Sequence, residues 1–279
     1  MVALTAHLDL CRSLILLPAS YGYMDENTTY SSEVKTAVRV FEIIEAIREK
    51  NEVGVTELAN ELDIAKSTTH RYLTTMEQAE YLIKEDDKYQ LSLKYLDHGV
   101  YKRKQILPWQ IIGQTLKQLS SETSEIAWFT VEEHGKGRDI YKSEGDRAIT
   151  VETWIGQAKP LHALAAGKAI LAFTPQDRVR EILDTQELEK ITEQTISTRD
   201  ALLAELEEIR EKGVAFNDEE YTKGIRSVAA PVFHDDDVVG AVSVSGPANR
   251  MRGDRYRQEL PELVLGAVNE VELKMQSTF

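Results

Sequence analysis

The stretch from Thr56 to Leu93 constrains this chain most. A two-turn segment carrying Leu58, Ala59 and Leu62 meets the tight connection Asp63-Ile64-Ala65, and then Lys66-Ser67-Thr68-Thr69-His70-Arg71-Tyr72-Leu73 begins. Thr69, Tyr72, Leu73 and Met76 recur at helical spacing, which predicts a helix over about 66–79. Ser67, Thr68, His70 and Arg71 are left on its outer side. Thr56 can cap the shorter helix before it, with Glu57 close to that helix's positive end. Upstream, Val34, Val38, Phe41, Ile44 and Ile47 step by four and three and predict a helix to about Lys50, these five forming its buried stripe. Downstream, Tyr81–Lys84 and Lys88–Leu93 flank Glu85-Asp86-Asp87 as a hairpin.

Three helices and a hairpin in this order predict a winged helix-turn-helix over 33–93, whose last helix enters a DNA major groove by its N-terminus. Arg71 suits a guanine edge or a phosphate, and hydroxyls suit either. The candidate DNA contacts are Arg39, Lys66, Ser67, Thr68, His70, Arg71 and, on the wing, Lys88. A module of this size can also bind protein instead of DNA, and that alternative stays open here.

Charge bears on the choice, because DNA affinity comes largely from cations that displace phosphate counterions. The 279-residue chain carries a formal −14, yet residues 33–105 hold 12 Lys/Arg against 14 Asp/Glu, while 106–279 hold 20 against 30. The acid is mainly C-terminal. An acidic surface extending even to the reading helices is also what a salt-rich cytoplasm selects, and it suits a halophilic source. Cys11 is the only cysteine, so a disulfide framework is excluded and a cytoplasmic setting is expected. Leu14–Leu17 is too short to span a membrane and lacks the basic flank of a signal peptide. Residues 1–32 therefore read as a disordered tail, and either Met1 or Met24 could be the true start.

Beyond the hairpin, Lys94–Gln105 reads as a linker helix closed by Pro108. Glu125–Val131, Asp139–Ser143, Ala148–Thr153, Val228–Phe233 and Val238–Ser245 read as strands, with His134–Gly137 and His234–Asp237 as turns. Leu161–Phe173 reads as one helix lined by Ala163, Ala165, Ala166, Gly167 and Ala169. Its small residues suit packing on a sheet, and its first N–H groups suit a carboxylate. Arg199–Lys212 reads as a surface helix stopped by Gly213. Ser243 and Ser245 share one face of their strand, opposite Val242 and Val244. Lys159 and Arg226 are candidate partners for an anion. The lone histidine in His234-Asp235-Asp236-Asp237 makes a turn, not a metal site.

The chain resembles the IclR family of transcription regulators over about 33–276. The resemblance rests on Val38-Arg39-Val40-Phe41-Glu42-Ile43-Ile44, Thr56-Glu57-Leu58-Ala59 and the Lys66–Leu73 run. More specific are Pro160-Leu161-His162-Ala163 leading to Ala166–Ala172, Gly213–Glu220, Gly224–Val232 and Ala241–Pro247. It implies an α+β multidomain chain: the winged module, a linker helix over 94–107 and a GAF-like α/β effector domain over 108–279. It further implies homodimers or dimers of dimers, a small and often acidic or aromatic effector, and contacts at Ala165, Ala166, Asp218, Ile225, Ser227, Ser243 and Ser245, which with Lys159 make eight candidate effector contacts. No cofactor and no metal are expected. Two positions depart from the pattern: Thr69 stands where an apolar residue is usual, and Ser92 where the wing usually has glycine. An enzyme built on His162, Asp218 and Ser227 or Ser243 is the rival from another class, but no nucleophile elbow, phosphate loop or zinc motif supports it.

Overall fold

The computed structural model describes residues 34–106, 109–150 and 153–276, and its contacts divide the chain into two units after Lys102. The expected tail over 1–32 and the Pro108 stop lie outside the described residues.

In the N-terminal unit, α1 (Lys35–Lys50), α2 (Val55–Glu61) and α3 (Lys66–Gln78) surround a core of Ile43, Ile47, Val53, Leu58, Leu73, Met76, Leu82 and Tyr89. Strands β1 (Val53–Gly54), β2 (Leu82–Glu85) and β3 (Lys88–Leu91) pair antiparallel in the order β1-β3-β2. The wing turns at Asp86 and Asp87, both with positive φ, 46° and 63°, as a two-residue hairpin requires. The stripe expected on α1 is corrected by rotation: Ile43, Ala46 and Ile47 are buried, while Val34 and Phe41 stay 69% and 53% exposed. A three-four step fits two neighbouring helix faces equally well, and the core shared with Leu58, Leu73 and Tyr89 decides between them. Thr56 is likewise corrected, since Gly54 is the N-cap of α2 and Thr56 lies inside the helix.

Both departures from the family pattern are locally satisfied. Buried Thr69 donates its hydroxyl to the Ala65 carbonyl at 3.3 Å. Ser92 donates to the Glu80 carbonyl at 2.6 Å and accepts the Lys94 N–H at 3.2 Å, so it joins the wing to the next helix. That helix, α4 (Lys94–Ile106), has no buried residue. Its first two turns lean on Tyr81: the Tyr95 ring meets it edge-on at 5.4 Å, His98 stacks at 5.8 Å, and the Lys94 ammonium sits 4.6 Å above it.

The C-terminal unit is built on six antiparallel strands in the order β6-β5-β4-β9-β8-β7. These are β4 (Ile126–Glu133), β5 (Lys136–Glu144), β6 (Ala158–Pro160), β7 (Ala215–Asp218), β8 (Ile225–His234) and β9 (Asp237–Pro247). Helices α5 (Trp109–Thr123) and α9 (Leu260–Gln276) cover one face, with Leu116, Leu119, Phe129, Val232, Val242, Val244 and Val264 among its core. Helices α6 (Ala165–Phe173), α7 (Gln176–Thr185) and α8 (Arg199–Lys212) build the other, through Ala166, Ala169, Ile170, Val179, Leu206, Ala229 and Ala241. Gly213 ends α8 in the left-handed region at φ 71°, donating to the Ile209 carbonyl.

Two expectations fail here. Residues 148–150 and 153 are not strand, and the sheet instead takes its edge from β6. The helix expected over 161–173 is broken: a 3-10 turn over Leu161–Ala163 gives way to extended Leu164, and α6 starts at Ala165. The break has a packing cause. A Cβ at Gly167 would stand 2.1 Å from the Leu161 carbonyl oxygen, so the two segments touch backbone to backbone.

Candidate functional site

Helix α3 opens without a side-chain cap and leaves Lys66, Ser67, His70 and Arg71 exposed and Thr68 half-buried along its N-terminal edge. The structure thus brings five of the seven candidate DNA contacts onto one helix. The other two are engaged elsewhere. Arg39 donates to the Leu62 carbonyl at 3.1 Å and pairs with Glu42 at 2.8 Å. Lys88 holds Glu52, whose carboxyl is lowered by that lysine, while Lys88 itself is raised by Glu52.

Strand register assembles the second site on the α6 side of the sheet. Trp128 lies opposite Lys142 on β5 and Ser243 on β9, and Ser243 lies opposite Ala229. One step along, Ser245 lies opposite Ser227 and Ile126, and the Ser227 and Ser245 hydroxyls are 2.8 Å apart. Thr130 and Asp139 form the next row, hydrogen-bonded at 2.7 Å. Into this face β6 delivers Lys159, whose ammonium reaches the second Asp139 oxygen at 2.5 Å and stands 5.1 Å from the Trp128 ring and 5.7 Å from that of Tyr221. Lys142 lies 5.1 Å from the same indole. Lys159, Asp139 and Ser243 are buried.

Helix α6 supplies Ala165 and Ala166, both buried, and no side chain caps its start, so the first N–H groups have no carbonyl within the helix to meet. Of the eight candidate effector contacts, the sheet face and α6 gather Lys159, Ala165, Ala166, Ser227, Ser243 and Ser245. Ile225 shares their parity at the strand's start. Asp218 does not: it alternates with Asn217 onto the other face and pairs with Arg226 at 2.6 Å, the arginine lying over Tyr256. Arg226, a candidate for an anion, is taken up by that pair.

Trp128, Thr130, Asp139, Lys142 and Tyr221 are site residues that the sequence did not reveal. Their side chains meet only through strand pairing and a loop closure far apart in sequence. The sole local hint was the alternation of β4, which places Trp128 and Thr130 on one face.

This arrangement agrees with two family models: "IclR helix-turn-helix domain" matches residues 36–86, and "Bacterial transcriptional regulator IclR C-terminal" matches 102–273. The chain belongs to the IclR family of transcriptional regulators. Its members join a helix-turn-helix domain to a C-terminal effector-binding domain. Among relatives, the probable HTH-type transcriptional regulator ArcR of Halobacterium salinarum is 32% identical, the match covering 88% of this chain and 95% of that one. The regulator KdgR of Escherichia coli K12 is 31% identical over 87% and 93% of the two chains. The crystal structure of Thermotoga maritima IclR superposes with a TM-score of 0.72 at 28% identity, covering 87% of this chain and 99% of that one. A halobacterial relative fits the acidic composition of this IclR-family protein.

Proposed function

We propose that this protein is a cytoplasmic regulator that reads operator DNA with the N-terminal edge of α3 and is controlled by a small anionic effector held beneath α6. The observation that carries the first half is the exposed row Lys66, Ser67, His70 and Arg71 on a helix braced by a tight turn and a wing. Paired in a homodimer, two such helices reach successive major grooves about 34 Å apart on a palindromic site. The effector half is supported by the buried cation Lys159, the hydroxyls of Ser227, Ser243 and Ser245, and the uncapped start of α6. DNA and effector must then change each other's affinity by the same factor.

The bound molecule is sensed, not turned over, in this reading. His162 meets the Glu189 carbonyl at 3.0 Å, Ser227 meets Ser245, and Asp218 faces away, so the three side chains of a hydrolytic triad do not meet. Among the described residues no helix is long and apolar enough to cross a membrane.

The test is fluorescence anisotropy with DNA from upstream of the protein's own gene, titrated with salt. Wild type should bind selectively, and Arg71→Ala should lose selectivity and flatten the salt dependence by about one unit of slope. Binding that is equal on all sequences, or unchanged by the substitution, would remove the DNA reading and favour a protein partner for the winged module.

A further inference from the structure

Lys168 belongs to α6, two residues beyond Ala166, and is completely buried. A buried ammonium is costly unless paired, and this one is paired fully. It meets both Glu220 oxygens at 2.8 and 2.9 Å and Glu205 at 3.0 Å. Glu220 is itself buried, and its carboxyl is raised by that burial against the pull of Lys168.

The pair fastens to α6 a turn of strained backbone. Glu219 sits at φ 62°, a left-handed conformation that costs a residue other than glycine, asparagine or aspartate. Around it the chain is pinned at every step. The Asn217 amide donates to the Ala163 carbonyl, and the Glu220 N–H donates to Asn217 Oδ1 at 3.2 Å. Thr195 donates to the Glu220 carbonyl at 2.6 Å, and Thr192 donates to that of Glu219 at 2.8 Å. The next residue is Tyr221, whose buried ring lies 5.7 Å from the Lys159 ammonium, as the Trp128 ring does at 5.1 Å.

We propose that Lys168 is a positioning residue for the effector site: through Glu220 it keeps the Glu219 turn closed and so holds Tyr221 over the Lys159 ammonium. The proposal rests on the reading of that pocket as the effector site. Lys168 touches no ligand itself. It ties the helix that supplies Ala165 and Ala166 to the loop that supplies Tyr221, making two walls of the pocket move together.

The test uses the full chain with Trp109→Phe and Trp154→Phe, which leaves Trp128 as the sole indole. Iodide is the probe, since it is an anion drawn to Lys159 and also quenches indole emission on contact. Lys168→Met should red-shift Trp128 and raise iodide quenching several-fold, to the level of Tyr221→Ala, with no further rise in the double variant. Lys168→Arg should restore the parent values. Unchanged quenching in a Lys168→Met protein that still melts cooperatively overturns the proposal and leaves the lysine a packing element only. Should Lys168→Met fail to fold, Glu220→Gln, which keeps the side chain's size and leaves Lys168 its Glu205 partner, must show the same rise; if it does not, the proposal falls. These readings need no effector. Failure of the effector reading shows separately, as DNA binding that no anionic metabolite alters in the parent protein.

Discussion

Asp139 reaches the Lys159 ammonium at 2.5 Å inside the C-terminal unit, with both side chains buried. The cation proposed to receive an anionic effector therefore already carries an internal counter-ion, and an effector must compete with it or complete it. Asp139→Asn keeps a partner for Thr130 but strands the ammonium, a loss of about 3 kcal/mol for a broken buried pair. The thermal midpoint of Asp139→Asn should fall, and sodium acetate should restore it more than it raises wild type. Equal acetate responses would show that Lys159 is closed to anions.

The wing predicts an unusual direction of change. Lys88 is held by Glu52, so its charge is partly spent before DNA arrives. Glu52→Gln should strengthen DNA binding and steepen its salt dependence by up to about one unit, while Lys88→Ala should cost less than Lys66→Ala. Anisotropy titrations over a range of salt concentrations check both; a larger loss at Lys88 would contradict the pairing.

His162 gives a pH dependence. Burial lowers its pKa from the usual 6.5, opposed by the Glu189 carbonyl it meets. Below about 6.5 the unfolded chain takes up this proton and the folded one resists, so stability is present above that pH and is lost as the pH falls through the folded value. The unfolding free energy of wild type, measured by urea titration, should decline below about pH 6.5, and His162→Gln should lessen the decline. Identical slopes would place the effect in other groups.

Salt should act on the whole molecule in the opposite sense to its action on DNA binding. A chain of net charge −14 repels itself, and raising KCl from about 0.1 to about 1 M shortens the screening length from about 10 Å to about 3 Å. The melting midpoint should rise over that range. A falling midpoint would remove the salt-adapted reading of its composition.

Much of this fold was legible because its signals are local. The α3 periodicity, the Asp86-Asp87 turn and the Gly213 stop each act within a few residues, and α3, the wing and α8 follow them. What escaped was decided at a distance. Phe41 and Ile43, two residues apart, lie on nearly opposite sides of one helix, and only the core shared with Leu58, Leu73 and Tyr89 selects Ile43. The break at Leu164 depends on Gly167 meeting Leu161 across a fold in the chain. Trp128 and Tyr221 reach Lys159 through register and loop closure, which no window of sequence contains. Asp218 and Asn217 are neighbours that face opposite ways, a difference of one residue that a matching motif does not resolve.

The contact between Gly167 and Leu161 also bears on how such a site could change its ligand. The start of α6 stands as close to the 3-10 turn as it does because one methyl group is missing, and alanine there would force the two segments apart. In the effector reading proposed above, the start of α6 is thus placed by a residue whose only contribution is to be small. On that reading, libraries that vary side chains from Trp128 to Ser245 alter the chemistry of recognition, whereas admitting a bulkier metabolite means moving a helix.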